Sequence, residues 1–326
     1  MDEATKQELL KNDPFIKLWA NNYAENFTLG YLGESRAKPV LFLKNTGKYL
    51  NFPVVLVAAG PSVDKNIKDL KDKQDNCLIV CADVVLFKLI ENGIKPDFVV
   101  NIDPHESVSK FFSFLDTSDL CLVCPTTVNP KTIKAWKGKI LYFNQTDVPN
   151  TPKGDALKRI TAPTIKWGEI LNRFFIGATM LQFVALFRPS YVILVGYDFA
   201  YSGGKAYCDG FLDIKIHHAE DPVGSEEHSK MIEKLKNEEM KKDIYIKGAL
   251  GGESLWTSNV LHFYLKVFKE LAAALKLKLV NSTEGGILMG LPQVPLATSL
   301  ERYCPSKLNK VDPFEIPHRK RKRRNK

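Results

Sequence analysis

Nowhere in the 326 residues does an apolar run reach the roughly 18 to 20 residues that a membrane-spanning helix needs. The opening MDEATKQELL has neither the basic nor the apolar region of a secretory leader, so the chain is expected to be cytoplasmic. No internal repeat is visible, and the full G-x-G-x-x-G fingerprint of dinucleotide folds is missing. Cysteine is scarce: of six, Cys77, Cys81, Cys121 and Cys124 lie inside apolar runs, the setting of buried thiols in a reducing compartment. Cys121 and Cys124 have a metal-like spacing, but LCLVC reads as a strand, where residues three apart face opposite ways, and no metal is assigned.

What is present is an ordinary globular composition, 44% hydrophobic and 25% charged, enough for one large α/β domain with appendages. The net charge of +9 misleads, because the terminal HRKRKRRNK holds seven of the 46 basic residues and the remainder balances near +2. That tail reads as a solvated end, and nucleic acid is not an expected partner.

Apolar runs and caps alternate along the chain. Residues 5–27 read as helix in two pieces, the second opened by Asp13 with Pro14 at its first position. Strands are expected at 54–59, 77–82, 97–102, 120–124, 139–143, 191–196 and 277–281, with helices at 62–72, 84–92, 173–187 and 255–275. Such an order specifies an α/β, Rossmann-like, doubly wound and mainly parallel sheet. The polar stretch 200–254 interrupts it as a partly helical insertion or lid. The boundaries are residues 1–52 for an N-terminal helical accessory segment, 53–300 for the Rossmann-like domain, and 301–326 for a C-terminal extension with the basic tail.

Ligands of parallel sheets bind at the carboxyl ends of the strands. VVLVAAGPSVDKN, residues 54–66, runs from a buried-type strand through Gly60 and Pro61 to Ser62, an expected N-cap; such a corner suits a phosphate or other anion. Three further strands end in acids, CLIVCAD at Asp83, DFVVNIDP at Asp103 and YVILVGYD at Asp198. Helix capping and hydrogen bonding to a nucleotide both fit Asp83, and Mg2+ held against a phosphate stays open for the cluster. After Asp198 come Tyr201, Lys205 and Tyr207, which bring hydroxyls and a cation to one short stretch. STEGG, residues 282–286, places Glu284 and Gly285 after another strand, either lining a sugar pocket or only turning the chain. In RFFIGATMLQFVALF the small residues Gly177, Ala178 and Thr179 fit close packing better than ligand contact.

VVLVAAGPSVDKNI, GIKPDFVVNIDP, VGYDFAYSGGKAYCDG and VNSTEGGILMG, in that order, resemble the signature blocks of the motility-associated-factor (Maf) glycosyltransferases. The resemblance implies transfer of a nonulosonic acid, such as a sialic, pseudaminic or legionaminic acid, from a CMP-activated donor to a flagellin-like protein serine or threonine or to a glycan hydroxyl. No cofactor is required on this reading, and a homo-oligomer is compatible with it. Residues 54–104 also resemble the archaeal hydroxymethyl-dihydropterin pyrophosphokinases of the same superfamily, which implies ATP and Mg2+ instead. A fainter similarity to bacterial sialyltransferases implies that tyrosines, here Tyr201 and Tyr207, hold the donor phosphate. It further implies a histidine base, for which His217, His218 and His228 are the candidates. Maf proteins usually carry large additional domains around this core, which leaves the acceptor open.

Overall fold

The computed structural model describes residues 13–146, 151–171, 173, 175–202, 205, 207–209, 244–247 and 254–315. Among these, the helices are α1 (Pro14–Thr28), α2 (Val40–Thr46), α3 (Val63–Asn66), α4 (Leu86–Glu91), α5 (Ser109–Phe112), α6 (Pro130–Ala135), α7 (Pro152–Ile160), α8 (Ile176–Ala185), α9 (Asn259–Leu275) and α10 (Leu296–Tyr303). The strands are β1 (Ala37–Pro39), β2 (Val54–Val57), β3 (Leu78–Ala82), β4 (Phe98–Val100), β5 (Cys121–Pro125), β6 (Lys139–Thr146), β7 (Glu169–Leu171), β8 (Val192–Val195), β9 (Ile244–Lys247), β10 (Ser254–Thr257) and β11 (Leu279–Asn281).

Nine strands form one sheet in the order β1-β6-β5-β4-β3-β2-β8-β11, with β7 following β1 along the outer edge of β6. All of its pairings are parallel. A parallel sheet is covered by helices on both faces, so its interior strands are apolar throughout. Accordingly, every residue of β2, β3, β4, β5 and β8 is buried. Helix α8 packs across β2, β3 and β4, and Phe183 meets Phe98 at 5.2 Å and Phe187 at 5.0 Å between ring centroids. Each such ring, fully withdrawn from water, contributes roughly 2–3 kcal/mol before entropy is counted.

The chain first lays β1 against the outer edge of β6 and then crosses to the centre at β2. From β2 it moves outward through β3, β4, β5 and β6, then returns to lay β8 and β11 on the other side of β2. The switch therefore falls between β2 and β8. The opposite, amino-terminal end of the strands is covered by residues 304–315. There Lys310 Nζ donates to Asp97 Oδ2 at 2.8 Å, Tyr49 donates its hydroxyl to Val311 O at 2.7 Å, and Leu308 N donates to Asp75 O at 2.9 Å.

Several expectations are corrected. Ser62 is itself helical (φ −63°, ψ −21°) and makes no capping bond. The helix expected at 62–72 is one α turn, α3, followed by a 3-10 segment, Ile67–Asn76. Its buried apolar residues, Ile67 and Leu70, are three apart, and a three-residue turn keeps them on one side. The helix expected at 255–275 begins only at Asn259, where Ser258 Oγ accepts from Leu261 N at 3.2 Å; residues 254–257 instead form β10, antiparallel to β9. Within residues 1–52, β1 pairs with β6 and joins the sheet. Helix α1 does start at Asp13, whose Oδ1 accepts from Phe15 N (2.8 Å) and Ile16 N (3.2 Å).

Candidate active site

Three corners meet at the carboxyl ends of β2, β8 and β11. The β2–β8 ladder runs on past both strands, with Ala58 N donating to Val195 O at 2.9 Å and Gly60 N to Gly196 O at 3.0 Å. This delivers the Gly60-Pro61-Ser62 turn directly against Asp198. Asp198 Oδ2 accepts the Ser62 hydroxyl at 2.7 Å and Oδ1 accepts the Ser62 amide at 3.2 Å. The third corner, Glu284-Gly285-Gly286, closes from the other side, where Ile287 N donates to Asp198 O at 2.8 Å. A methyl group on Gly60 would overlap Asp198 Oδ2 and Gly196 O, and one on Gly286, whose φ is +69°, would overlap the Asp198 backbone. Only glycine fits at either place.

Asp198 is 2% exposed. Burial pushes its pKa up to about 7, against the opposing pull of the Ser62 donors and of Lys65. The amide of Ser62, in the corner expected to suit a phosphate, and its hydroxyl are thus both held by an internal carboxyl group. Glu284, at φ +57°, is engaged similarly: its Oε1 accepts from Asn66 Nδ2 at 3.0 Å and from Leu296 N at 2.8 Å, which secures the start of α10.

Residues 205 and 207–209 fold back over this corner. Cys208 N donates to Ala59 O at 2.9 Å, and Asp209 N donates to Asp64 Oδ1 at 3.0 Å. Lys205 Nζ pairs with Asp209 Oδ1 at 2.6 Å and with Asp64 Oδ2 at 3.6 Å, while Lys88 also contacts Asp64. Tyr201 is buried, its backbone N bonded to Trp256 O at 2.8 Å, whereas the Tyr207 side chain is exposed. The small-residue patch of α8 is occupied by Tyr197, whose hydroxyl donates to Gly177 O at 3.2 Å; a methyl on Gly177 would press on that ring at 2.9 Å. Gly203, Gly204, His217, His218 and His228 lie outside the described residues.

Next along the sheet, the register Ala82↔Val100 sets Asp83 beside Asn101. Asp83 Oδ2 accepts from Asn101 Nδ2 at 2.6 Å and Oδ1 from Val84 N at 2.8 Å. Burial pushes its pKa up to about 6, with the nearby Asp103 charge adding to the rise. Asn101 is fully buried, and its Oδ1 has no hydrogen-bond partner among the described residues. The sequence reading passed over Asn101, although pairing β3 with β4 would have found it. Asp103, half-exposed, is bonded to His105 instead: Oδ1 lies 2.7 Å from His105 Nδ1 and 2.8 Å from His105 N. The thiols of Cys81 and Cys124 are raised well above their ordinary range by burial, and that of Cys208 to about 12. Among the described residues, no three His, Cys, Asp or Glu side chains are placed to hold one metal ion. No described helix is long and apolar enough to cross a membrane.

No curated protein matches this chain. Among solved structures, the Maf glycosyltransferase from Magnetospirillum magneticum AMB-1 shares its fold at a TM-score of 0.52 and 17% identity, over 83% of this chain and 40% of that one. This chain therefore spans less than half of that protein's length. The family model for 6-hydroxymethylpterin diphosphokinase MptE-like proteins matches residues 21–204, from within α1 through the Asp198 corner. With more than half of its residues under that match, the chain belongs to the MptE-like family.

Proposed function

We propose that this protein is a glycosyltransferase that moves a nonulosonic acid from a CMP-activated donor to a hydroxyl of a protein or glycan. The observation that carries this reading is the meeting of the 282–286 corner with the Gly60 and Asp198 corners. A diphosphokinase reading confined to the first 204 residues leaves the later block without a role. The nucleotide would lie along the carboxyl ends of β2, β3 and β4. Gly60, Pro61 and Ser62 form the corner beside it, and the strand-end Asp83 is the acceptor for the base or ribose on this reading. Tyr201 and Tyr207 would stabilise charge on the departing phosphate, with Lys205, Glu284 and Gly285 bordering the sugar. On the sialyltransferase resemblance, the proton of the acceptor hydroxyl passes to a histidine base.

The second reading, a pterin diphosphokinase using ATP and Mg2+, is favoured by the family match itself. It needs carboxylates that converge on a cation, whereas Asp83 and Asp198 are each committed to protein donors. A melting panel of CMP, CTP, UDP, GDP and ATP with Mg2+ separates the two, since a ligand bound only by the folded state raises stability by mass action. CMP or CTP should raise the melting temperature most. A shift given by ATP with Mg2+ alone would move the assignment to the kinase.

A further inference from the structure

His105 lies just beyond the end of β4, on a loop that the structure holds in place. Pro104 O accepts from Asn22 Nδ2 at 2.9 Å and from Asn129 Nδ2 at 3.3 Å, and the buried Asn22 also donates to Thr127 O at 3.1 Å. On this anchored backbone Asp103 Oδ1 takes both the His105 amide and the ring Nδ1. An ionised carboxylate only accepts, so in the neutral ring the proton sits on Nδ1 and the lone pair on Nε2. Phe15 of α1 sets its ring edge-on to the imidazole at 5.8 Å. Even so, the His105 side chain is 53% exposed. The adjacent charges are committed to each other, with Lys131 Nζ on Glu106 Oε1 at 2.6 Å.

An oriented imidazole, accessible at the carboxyl edge of a parallel sheet, has the form of a proton acceptor. At the usual strand spacing β4 is roughly 10 Å from β2, a gap that one bound nucleotide-sugar spans. We propose that His105 is the general base of the transfer, accepting the acceptor hydroxyl's proton on Nε2, with Asp103 as its positioning residue. This rests on the glycosyltransferase reading above. In the step, the acceptor oxygen bonds to the anomeric carbon as its proton passes to Nε2. The bond from that carbon to the phosphate oxygen breaks, and its electron pair leaves with CMP. Asp103 stabilises the imidazolium that forms.

The test uses the full chain with a panel of CMP-nonulosonic acids and peptide and glycan hydroxyl acceptors, reading CMP release and sugar transfer. His105→Ala should lower turnover at saturating donor by about a hundredfold or more. The melting shift given by CMP should stay as in the wild type, and added imidazole should restore part of the rate. Asp103→Asn should lower turnover too, because an amide no longer enforces the tautomer. If the wild type transfers sugar and His105→Ala matches it, or if only His218→Ala or His228→Ala loses transfer, the base assignment falls alone. Loss of turnover without imidazole rescue marks a structural role and overturns it too. A wild type that releases CMP from no donor overturns the glycosyltransferase reading, and the base assignment with it.

Discussion

The corner at β2, β8 and β11 and the rim at β4 and β5 occupy one edge of one sheet, and each presents a carboxylate beside a hydrogen-bond donor. At the first, Asp198 is buried and both of its carboxyl oxygens accept from Ser62. At the second, Asp103 and His105 are about half-exposed, while the buried amides of Asn22 and Asn26 hold only the backbone beneath, at Pro104, Thr127, Thr126 and Val128. The first arrangement fixes where three chain segments sit. The second keeps reactive groups accessible on a firm base, as a site that must exchange protons requires.

Gly60→Ala should have the largest effect, because its new methyl meets backbone and a buried carboxyl group that have nowhere to move. A loss on the order of 4 kcal/mol or outright failure to fold is expected in denaturant titration. A stable Gly60→Ala would show that the corner is looser than its contacts imply. The Asp198→Asn comparison is a matter of pH. The carboxyl pKa is about 7 when folded against the ordinary 3.8 of the unfolded chain, so between those values the folded state holds the extra proton. Its contribution is complete below pH 3.8 and is lost as the pH rises through about 7. Thermal melts of wild type and Asp198→Asn, run from pH 4 to 8, should therefore converge or cross, with the wild type losing on the order of 4 kcal/mol relative to the variant. Parallel curves would mean that Asp198 titrates normally.

Glu284 gives a smaller effect. Glu284→Ala removes an acceptor from Asn66 and from the Leu296 amide and should cost about 1–2 kcal/mol, whereas Glu284→Gln keeps Oε1 and should cost little. If instead the glutamine variant folds as wild type but loses sugar transfer, Glu284 faces substrate as well as α10. At the open rim, the His105→Ala variant should change stability by less than about 0.5 kcal/mol.

The interior strands were legible because burial on both faces writes itself as continuous apolar runs, VVLV, LIVCA and VILV. Helix α1 was legible from Asp13 and Pro14, a purely local signal. The short strands β1 and β7, AKP and EIL, carry three residues each and no pattern that separates them from loop. Asn22 and Asn26 read as polar positions on a helix, and only the packed structure shows them donating to carbonyls 82 to 105 residues away.

By itself, then, the sequence determined an α/β chain with parallel interior strands, a glycine corner after the first of them, and acids at the ends of three others. Tertiary structure decided that β8 lies next to β2, that Asp198 therefore fills the Ser62 corner, and that Asp103 turns to His105. The physical reason is range. Periodicity and caps report the burial and backbone state of neighbouring residues, whereas strand order fixes which side chains meet across 136 residues of chain, and every interior strand carries the same apolar code.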